Sequence, residues 1–496
     1  MPLTLENANQ RVLEAEYAVR GPIVARAQQI AEELKKPETQ KKYPFDSMVF
    51  CNIGNPQAVK QPPLSYPREI SALLTAPHLL SAPNVTQLYP KDVVERAKWT
   101  LARMANSGGY TNSAGYDFAR KHIADFITAR DEANNGGKAI LPKADPSTIF
   151  LTNGASQGVT FTLQLLINKP NDGVMIPIPQ YPLYTATLTL LNGTMVPYYL
   201  DEAKNWGITA EQLEESYDKA VQRGVNVRAI TIINPGNPTG QVLDLDVMKT
   251  VVEFAHRRRL VILSDEVYQE NIYAPGKKFH SMREVVLSMG ATVSKEVQVF
   301  SFHSASKGIH GECGRRGGYL ELLNFPKDVF DAFVKLPSIN LCPNIMGQIM
   351  MDIIVKPPAQ GDESYPKFRK EYDAIFEGLK RRARALPVSL RKVPGITCND
   401  IEGAMYAFPQ LRLPKKFIES CESAGKKPDA VWCMGLVEQE GIVTVPGSGF
   451  GQVPGTYHFR TTILPPDEDM ERVARRIDAY QRRIIANYGP IAGSRL

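Results

Sequence analysis

Short apolar runs bounded by Gly, Pro or Asn recur along the middle of the chain, at 148–152, 174–178, 195–200, 229–233, 260–263, 297–302 and 319–323. Helical patterns, such as 158–167 and 247–257, lie between most of them. Strands alternating with helices predict a mostly parallel sheet covered on both faces. Ahead of this region lie a polar helical pattern at 11–19, a second at 23–35 and a proline-rich connection through Pro62 and Pro63. Helical patterns at 93–105 and 118–130 then flank a glycine-rich loop at 108–115. Beyond about residue 325 the alternation stops. Helical stretches at 327–335 and 365–386, strand-like pieces at 404–408, 442–445 and 458–462, and a basic helix at 468–488 predict a smaller α+β unit. The expected organisation is an arm and part of a small domain in residues 1–88, a large domain in 89–340, and the rest of the small domain in 341–496.

A chain of 496 residues accommodates two or three domains of ordinary size. With 43% hydrophobic and 22% charged residues it is expected to be globular rather than disordered or fibrous. The net charge of +6 is spread along the sequence, and the clusters Arg257–Arg259 and Lys380–Arg382 fall on helical patterns as solvated faces. No nucleic-acid partner is expected. Six widely spaced cysteines without a C-x-x-C pair give neither a zinc pattern nor a disulfide framework, so no metal is expected and a reducing compartment fits. No apolar run approaches the ~20 residues of a membrane span. Residues 1–10 hold no basic residue and no apolar core, and a soluble, cytoplasmic protein is expected. The last three residues, Ser494-Arg495-Leu496, resemble the C-terminal Ser-Lys-Leu peroxisomal address.

Several polar residues sit where predicted strands end, which is where pockets form in α/β sheets. Lys307 follows the strand at 297–302 and precedes Gly308. Gly154-Ala-Ser-Gln157 follows another strand and opens a helix, either as a plain cap or as a phosphate seat. Asn234-Pro-Gly-Asn-Pro-Thr-Gly240 is a loop stiffened by two prolines around Asn237. Asp265 ends the strand before Tyr268, as a helix cap or as a carboxylate for a cationic ring nitrogen.

These residues, with Glu16–Ile23, Ile176–Tyr184, Ile233–Val242, Gly311–Gly314, Gly403–Tyr406, Val445–Gly451 and His458–Pro465 in one order, resemble the fold type I pyridoxal-phosphate enzymes of the aspartate aminotransferase superfamily. Within it the alanine aminotransferase branch is the most similar. The resemblance implies that Lys307 holds the cofactor aldehyde as a Schiff base and then moves the proton between substrate and cofactor. It implies that Asp265 keeps the pyridine nitrogen protonated, that Tyr268 and Asn237 bind the ring's phenolic oxygen, and that Tyr181 stacks on the ring. The phosphate would take Ala155, Ser156, Gln157, Ser304 or Ser306, and Arg316 in preference to Arg315. Tyr110 would reach the phosphate of the other subunit of a homodimer. Arg460 would grip the substrate α-carboxylate, Gly54 would close over it, and Tyr17 and Arg20 are candidates for the distal end. The implied reaction is L-alanine with 2-oxoglutarate giving pyruvate and L-glutamate. A glutamate:glyoxylate aminotransferase, a lyase using the same cofactor, and a non-catalytic cofactor-binding regulator are the alternatives.

Overall fold

The computed structural model describes residues 2–16, 21–104 and 106–491. Seven strands form its central sheet: β1 Ile149–Thr152, β2 Asp172–Ile178, β3 Thr194–Tyr199, β4 Asn226–Ile233, β5 Val261–Asp265, β6 Val299–Ser304 and β7 Gly318–Leu323. Their order across the sheet is β1-β7-β6-β5-β4-β2-β3. Only β7 opposes its neighbours; the others run in parallel register, as in Ile233 beside Asp265 and Asp265 beside Phe302.

The strands read as continuous apolar runs because both faces are covered. Side chains alternate across a strand. Met175, Ile230, Ile232, Ile262 and Val299 therefore pack under helix Leu245–Arg258 and its neighbours on one face. Their alternates Val174, Ile176, Leu263, Phe300 and Phe302 meet helix Ala155–Leu166 on the other. At about 25 cal/mol per Å² of apolar surface, these layers supply most of the drive to fold.

The smaller body is built from both chain ends. Val49–Phe50 pairs in parallel with Ile442–Val443, and a three-stranded sheet joins Tyr406–Ala407, Phe459–Thr462 and Val445–Pro446. Helices Tyr365–Leu390, Pro428–Glu440 and Asp467–Tyr488 cover them. The isolated bridge Ile272↔Gly403 lays the segment ending at Tyr406 over the carboxyl edge of the large sheet. The first polar helix spans Gln10–Glu14 and is capped at Ala15, while residues 17–19 of its pattern lie outside the described residues. No helix among the described residues is long and apolar enough to cross a membrane.

Candidate active site

Five parallel strands deliver their last residues to one rim. After β1, Gly154 takes φ +77°, and the chain turns into helix Ala155–Leu166 with its amides facing the rim. A Cβ on Gly154 would meet the Arg316 guanidinium at 2.5 Å, so only glycine leaves room for that arginine. After β4, the Asn234 amide donates to the Asp265 carbonyl (3.0 Å) and the Gly240 amide to the Gly236 carbonyl (3.0 Å), which holds Asn237 over the edge. After β6 the chain turns at Gly308, φ +66°, and leaves Lys307 pointing into the space between the two bodies.

That space is a cavity of about 570 Å³. Ala155, Ser156, Tyr181, Asn237, Asp265, Tyr268, Ser304, Ser306, Lys307, Arg316, Gly54 and Arg460 all line it, so most of the expected site residues converge. Lys307 Nζ donates to the Gly54 carbonyl (2.9 Å). Of the two neighbouring arginines, Arg316 lines the cavity, donating to Ser156 Oγ (3.2 Å) and the Asn153 carbonyl (2.9 Å). Arg315 turns instead toward Glu312 (3.8 Å). The Gln157 side chain accepts from the Asn153 amide (2.7 Å) and stiffens the turn from behind the cavity. Tyr110 is 80% exposed and does not line the cavity of its own chain. Tyr17 and Arg20 lie outside the described residues, as does the terminal Ser494-Arg495-Leu496.

Two residues of the site went unrecognised in the sequence. Tyr184, one turn after Tyr181, donates its hydroxyl to Asp265 Oδ2 (3.1 Å) from full burial. Tyr406 lines the cavity with its hydroxyl 3.3 Å from that of Tyr268. The Gly403–Tyr406 motif was the available signal for the second. For Tyr184 the signal was its place at the end of the Ile176–Tyr184 motif, but an aromatic on an apolar helix face is also what ordinary core packing gives.

The electrostatics follow from burial. Desolvation pushes Asp265 up to about 6, against the Tyr184 hydroxyl, the Val267 amide and the charge of Lys307. Burial, then Tyr406, raises Tyr268 well above the ordinary tyrosine value. Burial would raise Tyr406 as well, but Lys307 and Arg460 outweigh it and the net direction is down. Arg460 is 1% exposed, donates to Asn237 Oδ1 (3.1 Å) and the Asn52 carbonyl, and lies between the Tyr406 and Phe450 rings. Among the described residues no carboxylate pairs with it, and its Nε has no partner. Burying a cation without an anion costs several kcal/mol, which a bound carboxylate would offset.

A flat ring with a phosphate at one end and a cationic nitrogen at the other is the ligand such a cavity suits, as in the pyridoxal-phosphate transferases of fold type I. The family described as aminotransferase class I and II matches residues 79–477, and the chain belongs to it. Alanine aminotransferase 1, mitochondrial, of Arabidopsis thaliana is 46% identical over 490 residues, 98% of this chain and 88% of that protein. Glutamate–glyoxylate aminotransferase 2 of the same plant is 44% identical over 487 residues, 98% of this chain and 97% of that protein. The solved alanine aminotransferase of Pyrococcus furiosus superposes with a TM-score of 0.73 at 22% identity, over 96% of this chain and all of that one, and shares the fold.

The cofactor of this family is pyridoxal 5′-phosphate, and the residues present fit it. Asp265 is a buried acid with no cation in hydrogen-bonding contact among the described residues. At the opposite end, the start of helix Ala155–Leu166 meets Arg316 over a glycine that admits it, a seat for a phosphate. Enzymes of the family act on amino acids and 2-oxo acids.

Proposed function

We propose that the protein exchanges amino groups between L-alanine and 2-oxoglutarate, releasing pyruvate and L-glutamate in two half-reactions on one site. The observation that carries this reading is the cavity shared by the Lys307 amine and the buried Arg460 guanidinium, neither paired with a carboxylate among the described residues. An amino acid presents a carboxylate beside the carbon that must lose a proton, and a planar two-pronged donor fits that carboxylate as Lys would not.

When bound, the cofactor supplies an aldehyde for the amino group and an electron-poor ring that accepts the electrons of the Cα–H bond. Asp265 would hold the proton of the ring nitrogen, Tyr268 and Asn237 would bind the ring oxygen, and Tyr181 would lie against the ring face. Ala155, Ser156, Ser304 or Ser306, and Arg316 would hold the phosphate. Lys307 Nζ would take the Cα proton and return it, a role within reach of the Gly54 carbonyl that now orients it. Arg460 would grip the α-carboxylate, with Gly54 above it.

The reading extends to assembly and location. A homodimer is proposed, in which Tyr110 from a second copy completes the phosphate seat; its exposure on the isolated chain agrees with that. Residues 1–88 and 341–496 are taken as one body and 89–340 as the other. Ser494-Arg495-Leu496 is proposed as a peroxisome-type address, and the location of a fluorescent fusion carrying the last dozen residues decides between that organelle and the cytoplasm.

The similarity to a glutamate–glyoxylate aminotransferase supports a second reading, in which glyoxylate is the acceptor. The test is a half-reaction: L-alanine added to the holoenzyme changes the cofactor spectrum and yields stoichiometric pyruvate without ammonia. Steady-state rates with pyruvate and glyoxylate then separate the two acceptors.

A further inference from the structure

Tyr406 is buried at 2% exposure, far from Lys307 in sequence, and is brought to it by pairing with Thr462 in the small sheet. Its hydroxyl sits so close to Gly54 that a Cβ there would collide with it, and the same Cβ would lie 3.0 Å from Lys307 Nζ. The absence of a side chain at 54 is what lets the phenol and the amine share this corner. The groups facing the phenol are two cations and one phenol. Lys307, its Nζ on the Gly54 carbonyl (2.9 Å), contributes its charge, the Arg460 guanidinium lies 4.2 Å from the ring centroid, and the Tyr268 hydroxyl lies 3.3 Å from the oxygen. Asp265 stands behind Tyr268, and the 52–55 segment that closes the corner holds no ionisable side chain.

We propose that Tyr406 is a catalytic residue that takes a proton from Lys307 when a substrate carboxylate occupies Arg460, and so turns the freed amine into the base for the Cα proton. This rests on the reaction proposed above and adds the coupling between its carboxylate grip and its base. The step balances within the chain. Lys307 gives up one N–H proton, the Tyr406 oxyanion accepts it, and an amine and a phenol result. A bare Arg460 beside the ring favours the oxyanion, and a carboxylate on Arg460 cancels that charge and raises the phenol's affinity for a proton. Tyr268 carries a single proton, so whenever it is directed elsewhere Lys307 is the remaining donor to Tyr406. The two phenols therefore divide their work: burial keeps Tyr268 protonated, while the cations hold Tyr406 low.

The test compares holoenzyme with Tyr406→Phe, which keeps the ring beside Arg460 and removes the oxygen. With L-alanine the variant is expected to lose about a hundredfold in kcat, to hold its KM nearly unchanged, and to show a larger deuterium effect from Cα-deuterated alanine than the wild type. Ultraviolet titration of the wild type is expected to show one phenol ionising below the ordinary tyrosine range, absent from Tyr406→Phe and shifted upward by propionate, a carboxylate without an amine. An unchanged kcat and isotope effect in the variant, or a phenol that ignores propionate, overturns the inference. Absence of pyruvate from wild type and L-alanine would instead overturn the reaction, while the propionate response still reads the coupling.

Discussion

Asp265 and Glu266 are consecutive, both buried, and both pushed upward by desolvation, to about 6 and about 7, yet they serve opposite ends. Glu266 turns into a closed ionic assembly, accepting from the Met282 amide (2.9 Å) and Ser264 (3.0 Å) with Arg130 at 3.6 Å. Around it Arg130 pairs with Asp131, and Arg283 bridges Asp131 (2.9 Å) and Glu321 (3.0 Å). Asp265, one residue earlier, meets a phenol and one amide at 3.4 Å, and beside its cavity Lys307 and Arg460 have no carboxylate in direct contact among the described residues. Each charge in the closed assembly answers another of the chain's own. Those around the cavity answer only what arrives from outside. Where a fold leaves buried charges unanswered beside open space, the missing partners describe the ligand.

Substitutions that take one charge from each region sharpen the contrast. Lys307→Ala is expected to lower turnover by at least about four orders of magnitude and abolish the covalent cofactor absorbance, with little change in stability; single-turnover spectra with L-alanine check both. Arg283→Ala should do the reverse, costing about 3–5 kcal/mol in a denaturant midpoint by stranding Asp131 and Glu321, with activity per folded molecule retained. Arg460→Lys removes the two-pronged grip. KM for L-alanine is expected to rise about a hundredfold, equivalent to about 2–3 kcal/mol, more than kcat falls.

The smallest expected effect concerns pH. In cofactor-free protein Asp265 titrates above its ordinary value, so between that value and about 6 the folded state binds a proton the unfolded chain does not. Its contribution therefore favours folding below that window and is lost as pH rises through it. Tyr184→Phe deletes a donor that favours the charged carboxylate. It should widen the window upward, at a cost under about 1.5 kcal/mol. Midpoints measured from pH 4 to 8, read as the difference from Asp265→Asn so that the titration of Glu266 cancels, check the sign.

Much of this was legible in the chain itself. All seven sheet strands lie within a few residues of the apolar runs that predicted them, because strands covered on both faces must be apolar throughout. Asp265, Asn237 and Lys307 stood out because polar residues break those runs at one end. Helix Ile345–Val355 left no comparable trace: IMGQIMMDIIV is buried throughout from Gly347 onward, its two polar residues Gln348 and Asp352 included, so no solvated face repeats. It begins just past the expected boundary at 340/341, yet packs Met350 and Met351 with residues of β1 and β7. Tyr184 and Tyr406 were obscured for a different reason. Each is an aromatic in an apolar setting, and only the pairing of distant segments shows what its hydroxyl meets, the Asp265 carboxylate for Tyr184 and the Tyr268 phenol for Tyr406.

The rim of the cavity closes through Val49–Phe50 pairing with Ile442–Val443 and through Phe459–Thr462 lying beside Tyr406–Ala407. In the order of synthesis the sheet that carries Lys307 is finished well before Phe459–Thr462, the strand that carries Arg460, emerges. A growing chain thus completes one wall of the cavity long before the other, which arrives only when its last quarter folds back on its first strand.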